Sequence, residues 1–388
     1  MRITAHWRRS AARGAIAAIA GATVMVSLAA CASGSSETSS SPAPSSVDLE
    51  AAKAYLQPYT EAPTTLPVSE SLAKLPPPGA RIVFLDIGTP NTAQAWQLLQ
   101  PVTDILDVKL ERVQTGSTAE SMNAALNTVV ENPPAAVIWI AQDPTFFSSQ
   151  LDALRAAGTV IVPSSIVDGT NFGFSSRETI FGGPEMQLEI GRALASAAVV
   201  KTDGDATQFV FYDVPELAFS SIVEKGAQEE LTELCPGCTL RVVHIPVSQI
   251  GSTAPQTIVS DLQANPQTQL FISALDEAQI GLPAAASVAG VDVPGIGAYP
   301  VAANYQQVQD GTETGTMAQD QSLFVWSLMD QALRGIAGQA LTDLDVRQMA
   351  STVHHLVTED NAQDIDPAAG YVAFPDYVAR FTKLWTGK

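Results

Sequence analysis

Short apolar runs alternate with longer segments of helical periodicity over most of this chain. Residues 82–87, 136–140 and 159–162 are nearly continuous apolar runs, as expected of strands buried on both faces of a parallel sheet. Residues 117–131 and 146–157 carry apolar residues at helical spacing. Strands of about five residues joined by helices of about 12 to 15 residues predict parallel βαβ units, and therefore an α/β fold.

The same alternation starts again near residue 184. The second run contains predicted strands at residues 208–212, 239–245, 269–273 and 293–298, with predicted helices at 184–200, 219–234, 257–264 and 279–289. Two similar halves predict two Rossmann-like lobes with parallel sheets and a ligand cleft between them. After residue 298 the pattern changes, with a strand predicted at 314–319, a helix at 320–336, a strand at 353–357 and a last helix at 377–385.

Polar and aromatic side chains stand near the ends of the predicted strands, where open α/β sheets bind small ligands. The first of these loops has the sequence GTPN and ends in Asn91. Hydrogen bonding to a ligand suits the polar residues, although loop solvation alone would explain any one of them. The aromatic residues either contact ligand or pack in a lobe core. The residues that we expect to contact ligand are Asn91, Gln142, Phe219, Asp276, Tyr299 and Gln319.

The first 30 residues have the pattern of an export signal. Four arginines precede an apolar run at residues 14–28, which is short for a membrane-spanning helix of about 20 residues. The run ends in LAAC, which resembles the bacterial lipobox that directs a lipid to its cysteine. We predict a lipoprotein signal peptide at residues 1–30 and a lipid on Cys31 that holds the chain at the outer face of the cell membrane. An ordinary signal peptide is the alternative, and both Sec and twin-arginine export stay open.

A serine-rich stretch with no apolar periodicity follows Cys31 and predicts a flexible tether over residues 32–47. Removal of residues 1–30 removes four arginines, so that 16 basic and 40 acidic residues leave a net charge of −24. A surface of this charge repels phosphates, which argues against nucleic acid as a partner.

The sequence CPGC contains Cys235 and Cys238, the two cysteines besides Cys31. A redox CxxC motif lowers the pKa of a thiol where it opens a helix after a strand, but this one follows a predicted helix and precedes a strand. We therefore expect a structural disulfide between Cys235 and Cys238, as suits an exported protein, with free thiols as the alternative.

Three histidines remain in the mature chain, His244, His354 and His355, and they lie on predicted strands of ordinary pattern. The chain contains neither a GxxxxGK phosphate-binding motif nor an HExxH zinc motif. We expect no catalytic residue, no metal site and no cofactor.

Four stretches within residues 79–388 occur in a characteristic order: VFLDIGTPN, FGFSSRETIFGGPEMQLEIGRALA, SDLQANPQTQLFISALDEAQIG and HHLVTEDN. Together they resemble the type I periplasmic solute-binding proteins of ABC transporters, specifically the ribose-binding-like branch of actinobacterial lipoproteins. The resemblance implies three hinge crossings between the lobes, near Ser176, near Gln319 and shortly before Val353, and closure of the lobes around a ligand.

The resemblance also implies domain boundaries. Residues 79–176 with about 320–350 would form lobe 1, and residues 177–319 with about 351–360 would form lobe 2. Residues 31–78 would contain the lipidated cysteine, its tether and an N-terminal wrap of the first domain. Residues 361–388 would form a C-terminal segment.

Two positions depart from the pattern of the sugar binders. Leu275 stands where an asparagine precedes the Asp-Glu pair, and Tyr299 is the closest match to an expected sugar-binding aspartate. Because a buried hydroxyl without a partner costs about 1 to 3 kcal/mol, we expect free pentoses to bind poorly.

The sequence therefore predicts an exported, monomeric substrate-binding protein that captures a small solute, sugar-like but not a plain pentose, and delivers it to an ABC permease. A ligand-sensing subunit for a membrane receptor and an exported hydrolase or isomerase are the alternatives. We do not expect the chain to be an enzyme.

Overall fold

The computed structural model of the chain describes residues 47–116, 118–165, 169–341 and 343–388. The predicted signal peptide at residues 1–30, the predicted lipidation at Cys31 and the tether up to residue 46 lie outside these ranges. Within the ranges, no helix combines the length and the apolar character that a membrane crossing requires.

Four parallel strands form the first sheet, in the order β2-β1-β3-β4. These strands are β1 (Arg81–Asp86), β2 (Lys109–Gln114), β3 (Ala136–Ile140) and β4 (Val160–Ser164). Every residue of β3 is buried, which is why the strand reads as an unbroken apolar run. We call the part of the molecule built on this sheet the first lobe.

Six strands form the second sheet, in the order β10-β9-β8-β7-β5-β6. These strands are β5 (Gln208–Asp213), β6 (Thr239–His244), β7 (Leu270–Ser273), β8 (Gly295–Ala298), β9 (Gly315–Gln319) and β10 (His354–Thr358). Only β10 is antiparallel to its neighbour among the described strands. We call this part the second lobe. Because β5 lies between β6 and β7 as β1 lies between β2 and β3, the two lobes repeat one arrangement, as predicted.

Helices cover both sheets. They are α1 (Leu49–Thr60), α2 (Pro90–Leu99), α3 (Val102–Leu106), α4 (Ala119–Glu131), α5 (Ser148–Ala156), α6 (Pro184–Lys201), α7 (Ala218–Leu234), α8 (Ala254–Ala264), α9 (Leu282–Ala289), α10 (Ala302–Gln309), α11 (Gln321–Ala337), α12 (Val346–Val353) and α13 (Tyr377–Thr386). The sequence pattern did not predict α10, because few apolar residues mark its buried side.

The chain passes between the lobes three times, as predicted. The first passage follows β4, since α6 packs on β7, β8 and α7 of the second lobe. The second follows β9, since α11 packs on β3, β4 and α2 of the first lobe. The third follows α11, since α12 packs on α6 and leads into β10.

The two terminal segments attach to the lobes differently. Helix α13 packs on α11, where the indole rings of Trp326 and Trp385 stack with centroids 5.2 Å apart. Helix α1 packs on α6, β10 and α12, with Leu56 and Tyr59 buried in this contact. The N-terminal wrap, predicted around the first domain, therefore begins on the second lobe, and only from about Val68 does it approach α11 and α13.

Candidate functional site

A cavity of about 690 Å³ lies where the carboxyl ends of the strands in the two sheets face each other. The loops after β1, β3 and β4 line it from the first lobe, and the loops after β5, β7 and β8 line it from the second. The start of α11 and residues 367–372 complete the lining. Four of the six predicted ligand-contacting residues line this cavity together: Asn91, Phe219, Tyr299 and Gln319.

The first-lobe wall depends on the N-terminus of α2. Thr89 is the N-cap and its hydroxyl accepts a hydrogen bond from the Thr92 amide at 3.2 Å. The helix begins at Pro90, because proline fixes the backbone angle that a first helical residue requires. Asn91 follows, and its Oδ1 accepts a hydrogen bond from Gln321 Nε2 of α11 at 3.2 Å.

A buried carboxylate supports this wall from behind. Asp86, at the end of β1, accepts hydrogen bonds from the Gly88 amide at 2.7 Å, Gln114 Nε2 at 2.6 Å and the Thr92 hydroxyl. The guanidinium of Arg112, on β2, also binds it. Burial by itself would raise the pKa of Asp86, but these hydrogen bonds outweigh burial and lower the pKa below its usual value.

The second-lobe wall is aromatic. Phe219 lies at the N-terminus of α7, and Tyr299 follows β8 with a left-handed backbone (φ +60°). Their rings meet edge to face with centroids 5.4 Å apart. The Tyr299 hydroxyl donates a hydrogen bond to Gln187 Oε1 at 2.6 Å, and burial raises the pKa of Tyr299, so the phenol stays neutral.

Gln319 lies at the second crossing beside a buried histidine. Its Nε2 lies 3.2 Å from His354 Nε2, while His354 Nδ1 lies 3.0 Å from the Ala350 carbonyl. Burial lowers the pKa of His354 to about 4, so the imidazole is neutral at pH 7. A proton on Nδ1 then satisfies the carbonyl, and Nε2 accepts from the amide of Gln319.

The other two predicted ligand-contacting residues do not line the cavity. Gln142 is buried behind β3, where its Nε2 donates to the Leu85 carbonyl at 3.3 Å. Asp276 is fully buried, and the residues on either side of it, Leu275 and Glu277, line the cavity instead.

Asp276 forms a buried carboxyl pair with Glu313. The Thr316 hydroxyl and Gln279 Nε2, at 2.7 Å, donate to the Asp276 carboxylate. Asn304 Nδ2 donates to Glu313 Oε2 at 3.3 Å and to the Asp276 carbonyl at 2.9 Å. Burial and the proximity of two acids raise the pKa of Asp276, and burial raises the pKa of Glu313 to about 8. The pair therefore holds a proton near neutral pH.

Several lining residues were not among the predicted site residues: Gln187, Tyr305, Gln321 and Tyr371. Gln187 and Gln321 sit in the first turns of α6 and α11, where polar residues are ordinary, and the sequence contains no signal that separates them. Tyr371 belongs to residues 361–388, which were predicted only as a C-terminal segment. Its ring stacks on His355 with centroids 4.6 Å apart, a contact that only the tertiary structure reveals.

Ser220, His244 and Asp213 form a group that resembles a hydrolase triad in composition. Asp213 Oδ2 lies 2.9 Å from His244 Nδ1, and Asp213 Oδ1 accepts a hydrogen bond from the Ser220 hydroxyl. The carboxylate lies between the serine and the histidine, so the imidazole is not placed as a base for the hydroxyl.

The expected disulfide is present between Cys235 and Cys238, in the turn between α7 and β6. Over the described ranges, no group of three or more His, Cys, Asp or Glu side chains is arranged to hold a metal ion.

No protein-family model matches the chain, and no curated protein matches it in sequence. Solved structures do resemble it. A 5-methylthioribose transporter solute binding protein from Thermotoga lettingae, in complex with 5-methylthioribose, has a TM-score of 0.61 at 15% identity, over 80% of this chain and 99% of that chain.

Two further structures give the same result. An ABC transporter periplasmic solute binding protein from Actinobacillus succinogenes, with bound D-allose, has a TM-score of 0.59 at 17% identity, over 74% of this chain and 99% of that one. An arabinose binding protein from Geobacillus stearothermophilus has a TM-score of 0.58 at 17% identity, over 74% and 99%. The likeness shows that this chain has the type I periplasmic binding protein fold.

Proposed function

We propose that this chain, which has the type I periplasmic binding protein fold, is an exported, lipid-anchored substrate-binding protein that delivers a small solute to an ABC importer. The observation that carries the proposal is the cavity of about 690 Å³ between the strand ends of the two lobes. A volume of this size suits a small molecule, since ligand pockets usually measure about 300 to 1,000 Å³.

Closure of the lobes would couple solute capture to delivery. A solute that contacts Asn91 in the first lobe and Phe219 or Tyr299 in the second binds the closed arrangement better than the open one. The three crossings would act as hinges, and a membrane permease would recognise the closed form.

Export and anchoring rest on the first 31 residues together with the disulfide. The basic and apolar N-terminal pattern and the LAAC sequence favour a lipid on Cys31. The disulfide between Cys235 and Cys238 suits an oxidising compartment outside the cytoplasm. The carboxylate placed between Ser220 and His244 supports the further expectation that the protein is not an enzyme.

Thermal unfolding with a library of sugars, polyols, amino acids, amines and aromatic metabolites tests solute binding. A solute at a hundred times its dissociation constant adds about 2.7 kcal/mol to the free energy of unfolding, which is easily measured as a shift in Tm. Ribose and xylose belong in the library, because we expect neither to bind with micromolar affinity.

Two neighbouring substitutions on α10 provide a matched control. Ala302 and Ala303 are both exposed, but only Ala302 lines the cavity. We expect Ala302→Trp to block solute binding and Ala303→Trp to leave it unchanged. Equal effects of the two variants would place the solute elsewhere.

Transport is tested in cells. Deletion of the gene should abolish high-affinity uptake of the solute identified by thermal unfolding, and Cys31→Ala should release the protein from the membrane. Uptake that survives deletion, together with a lost cellular response to the solute, would favour a sensory subunit over an importer subunit.

A further inference from the structure

The lining of the cavity carries charge of one sign. Of the described residues that line it, Glu277 is the one acidic residue, and none is Lys, Arg or His. No ion pair among the described residues includes Glu277, which is half-buried. An anionic solute would therefore enter a site that offers a carboxylate and no described cation to neutralise it.

Aromatic rings line the same cavity as this carboxylate. Phe219 and Tyr299 form the edge-to-face pair of the second lobe, and Tyr305 and Tyr371 also line the space. The faces of such rings attract cations, with a free energy of about 0.5 to 2 kcal/mol that grows as the cation loses water. A carboxylate and several rings that line one cavity are a combination suited to an ammonium group with an apolar body.

Most amide side chains of the lining already hold a hydrogen bond within the protein. Gln187 accepts from Tyr299, and Gln321 donates to Asn91. Gln319 is bonded to His354. Each of these bonds occupies a polar atom that a solute with many hydroxyls would otherwise use, so the lining favours a solute that needs few hydrogen bonds.

Four helices, α2, α7, α10 and α11, begin at the cavity, and helix N-termini favour an anion over a cation. At two of these N-termini, however, side chains already accept hydrogen bonds from the backbone amides that have no partner within the helix. Asp320 accepts from the Ser322 amide at 2.9 Å and the Leu323 amide at 3.0 Å, and Thr89 accepts from the Thr92 amide. The carboxylate of Asp320 also offsets the positive end of α11.

We infer that the solute is an organic cation, a primary amine or quaternary ammonium compound with a largely apolar body, and that Glu277 binds its charge. This inference rests on the proposed function. The net charge of −20 for the whole chain adds a long-range field that attracts cations to the cavity.

Equilibrium dialysis with matched probes tests the inference. One set consists of phenethylamine, phenethyl alcohol and hydrocinnamate, and a second consists of choline and its neutral carbon analogue. The proteins are the full chain, Glu277→Gln and the control Glu359→Gln, which removes one exposed carboxylate away from the cavity. Bound fractions are measured by mass spectrometry at low and high salt, with circular dichroism to confirm folding.

We expect retention of the cationic probes over their neutral and anionic partners, an affinity loss of about tenfold or more in Glu277→Gln, and no change in Glu359→Gln. Retention of neutral or anionic probes instead, or a loss of less than tenfold in Glu277→Gln, overturns the cation assignment and leaves solute binding intact. If these probes and the whole thermal library all fail to bind, the proposed function itself fails.

Discussion

The two lobes place an aspartate at the same point of the same arrangement and give it different partners. Asp86 ends β1 and Asp213 ends β5, and both are buried. Each accepts a hydrogen bond from a hydroxyl in the first turn of the following helix. The partner on the neighbouring strand is Arg112 in the first lobe and His244 in the second.

The side-chain exposure of the two partners decides what each aspartate contributes. Arg112 is 29% exposed and permanently charged, whereas His244 is 66% exposed and free to find solvent. The first lobe therefore fixes its cavity loop with a partly buried ion pair, and the second lobe depends on the hydrogen bonds of Asp213 with Ser220 and with an exposed imidazole. The same position of the fold therefore holds the cavity wall more or less firmly, depending on the residue that the neighbouring strand places beside the aspartate.

Substitution of the two aspartates should show the largest difference between the lobes in the free energy of unfolding. Asp86→Ala leaves the Arg112 guanidinium without its carboxylate and deprives the Gly88 and Gln114 donors of their acceptor. We expect a loss of about 3 kcal/mol in the free energy of unfolding, measured by urea denaturation. Asp213→Ala should lose only about 1 kcal/mol, because His244 is exposed. Equal losses would contradict the distinction between the lobes.

Among the described residues, a buried carboxyl pair occurs in the second lobe only, and this should make its stability depend on pH. The folded pKa of Glu313, about 8, lies above the ordinary carboxyl value, so the folded state keeps a proton that the unfolded state releases. The stability that this group contributes is present at acidic pH and is lost as the pH rises towards about 8.

Glu313→Gln should reduce this pH dependence while keeping the hydrogen bond from Asn304, and the part that remains belongs to Asp276, whose pKa burial also raises. We expect the variant to be more stable than the wild type at pH 8 by about 2 kcal/mol, with the difference shrinking below pH 5. The titration of His354 and His355, whose pKa values burial lowers to about 4, is common to both proteins and cancels in the difference. A difference that does not change with pH would argue against the shared proton.

The disulfide also belongs to the second lobe only. Cys235 and Cys238 close the turn between α7 and β6, whereas Asp107 and Val108 make the corresponding connection between α3 and β2 without a covalent link. A loop of this length gives a stabilisation of about 2 kcal/mol at most. Cys238→Ser, or reduction with thiol, should lower the free energy of unfolding by that amount, and solute binding should persist.

The smallest expected effects concern the two residues that follow the equivalent strands β4 and β8. Ser165 and Tyr299 share a left-handed backbone, with φ of +56° and +60°, and both line the cavity. Tyr299→Phe removes the hydrogen bond to Gln187 and should cost about 1 kcal/mol, while Ser165→Ala should cost about 0.5 kcal/mol or less. A larger loss for Ser165→Ala would show that the first-lobe wall is the more sensitive one.

Most of the fold could be predicted because buried parallel strands leave a strong local signal. The run at residues 136–140 coincides with β3, and the helix predicted at 184–200 is α6 within one residue at its end. The start of α2 leaves a weaker signal, because Pro90 reads as a breaker in a pattern and yet is favourable as the first helical residue. The attachment of α1 to the second lobe leaves no local signal, since only Leu56, Tyr59 and their neighbours meet α6.

The candidate site was less predictable than the fold. Asn91, Phe219, Tyr299 and Gln319 could be placed near one another because strand ends of a parallel sheet share an edge. Asp276 and Gln142 stand at similar strand ends, but their side chains turn into the protein and bond to Thr316 and to the Leu85 carbonyl. A one-residue difference in position moves a side chain from the cavity to the interior, and a pattern of residue types does not resolve that difference.

The sequence by itself determined the alternation of strands and helices, the doubling of that alternation and the disulfide, because each depends on residues close together in the chain. Only the tertiary structure decided which side chains face the cavity and that Tyr371 from the C-terminal segment joins them. It also decided that Glu277 is the one acidic residue among the described residues that line the cavity. These features depend on contacts between residues far apart in sequence, where burial and hydrogen bonding at each strand end select one side chain over its neighbour.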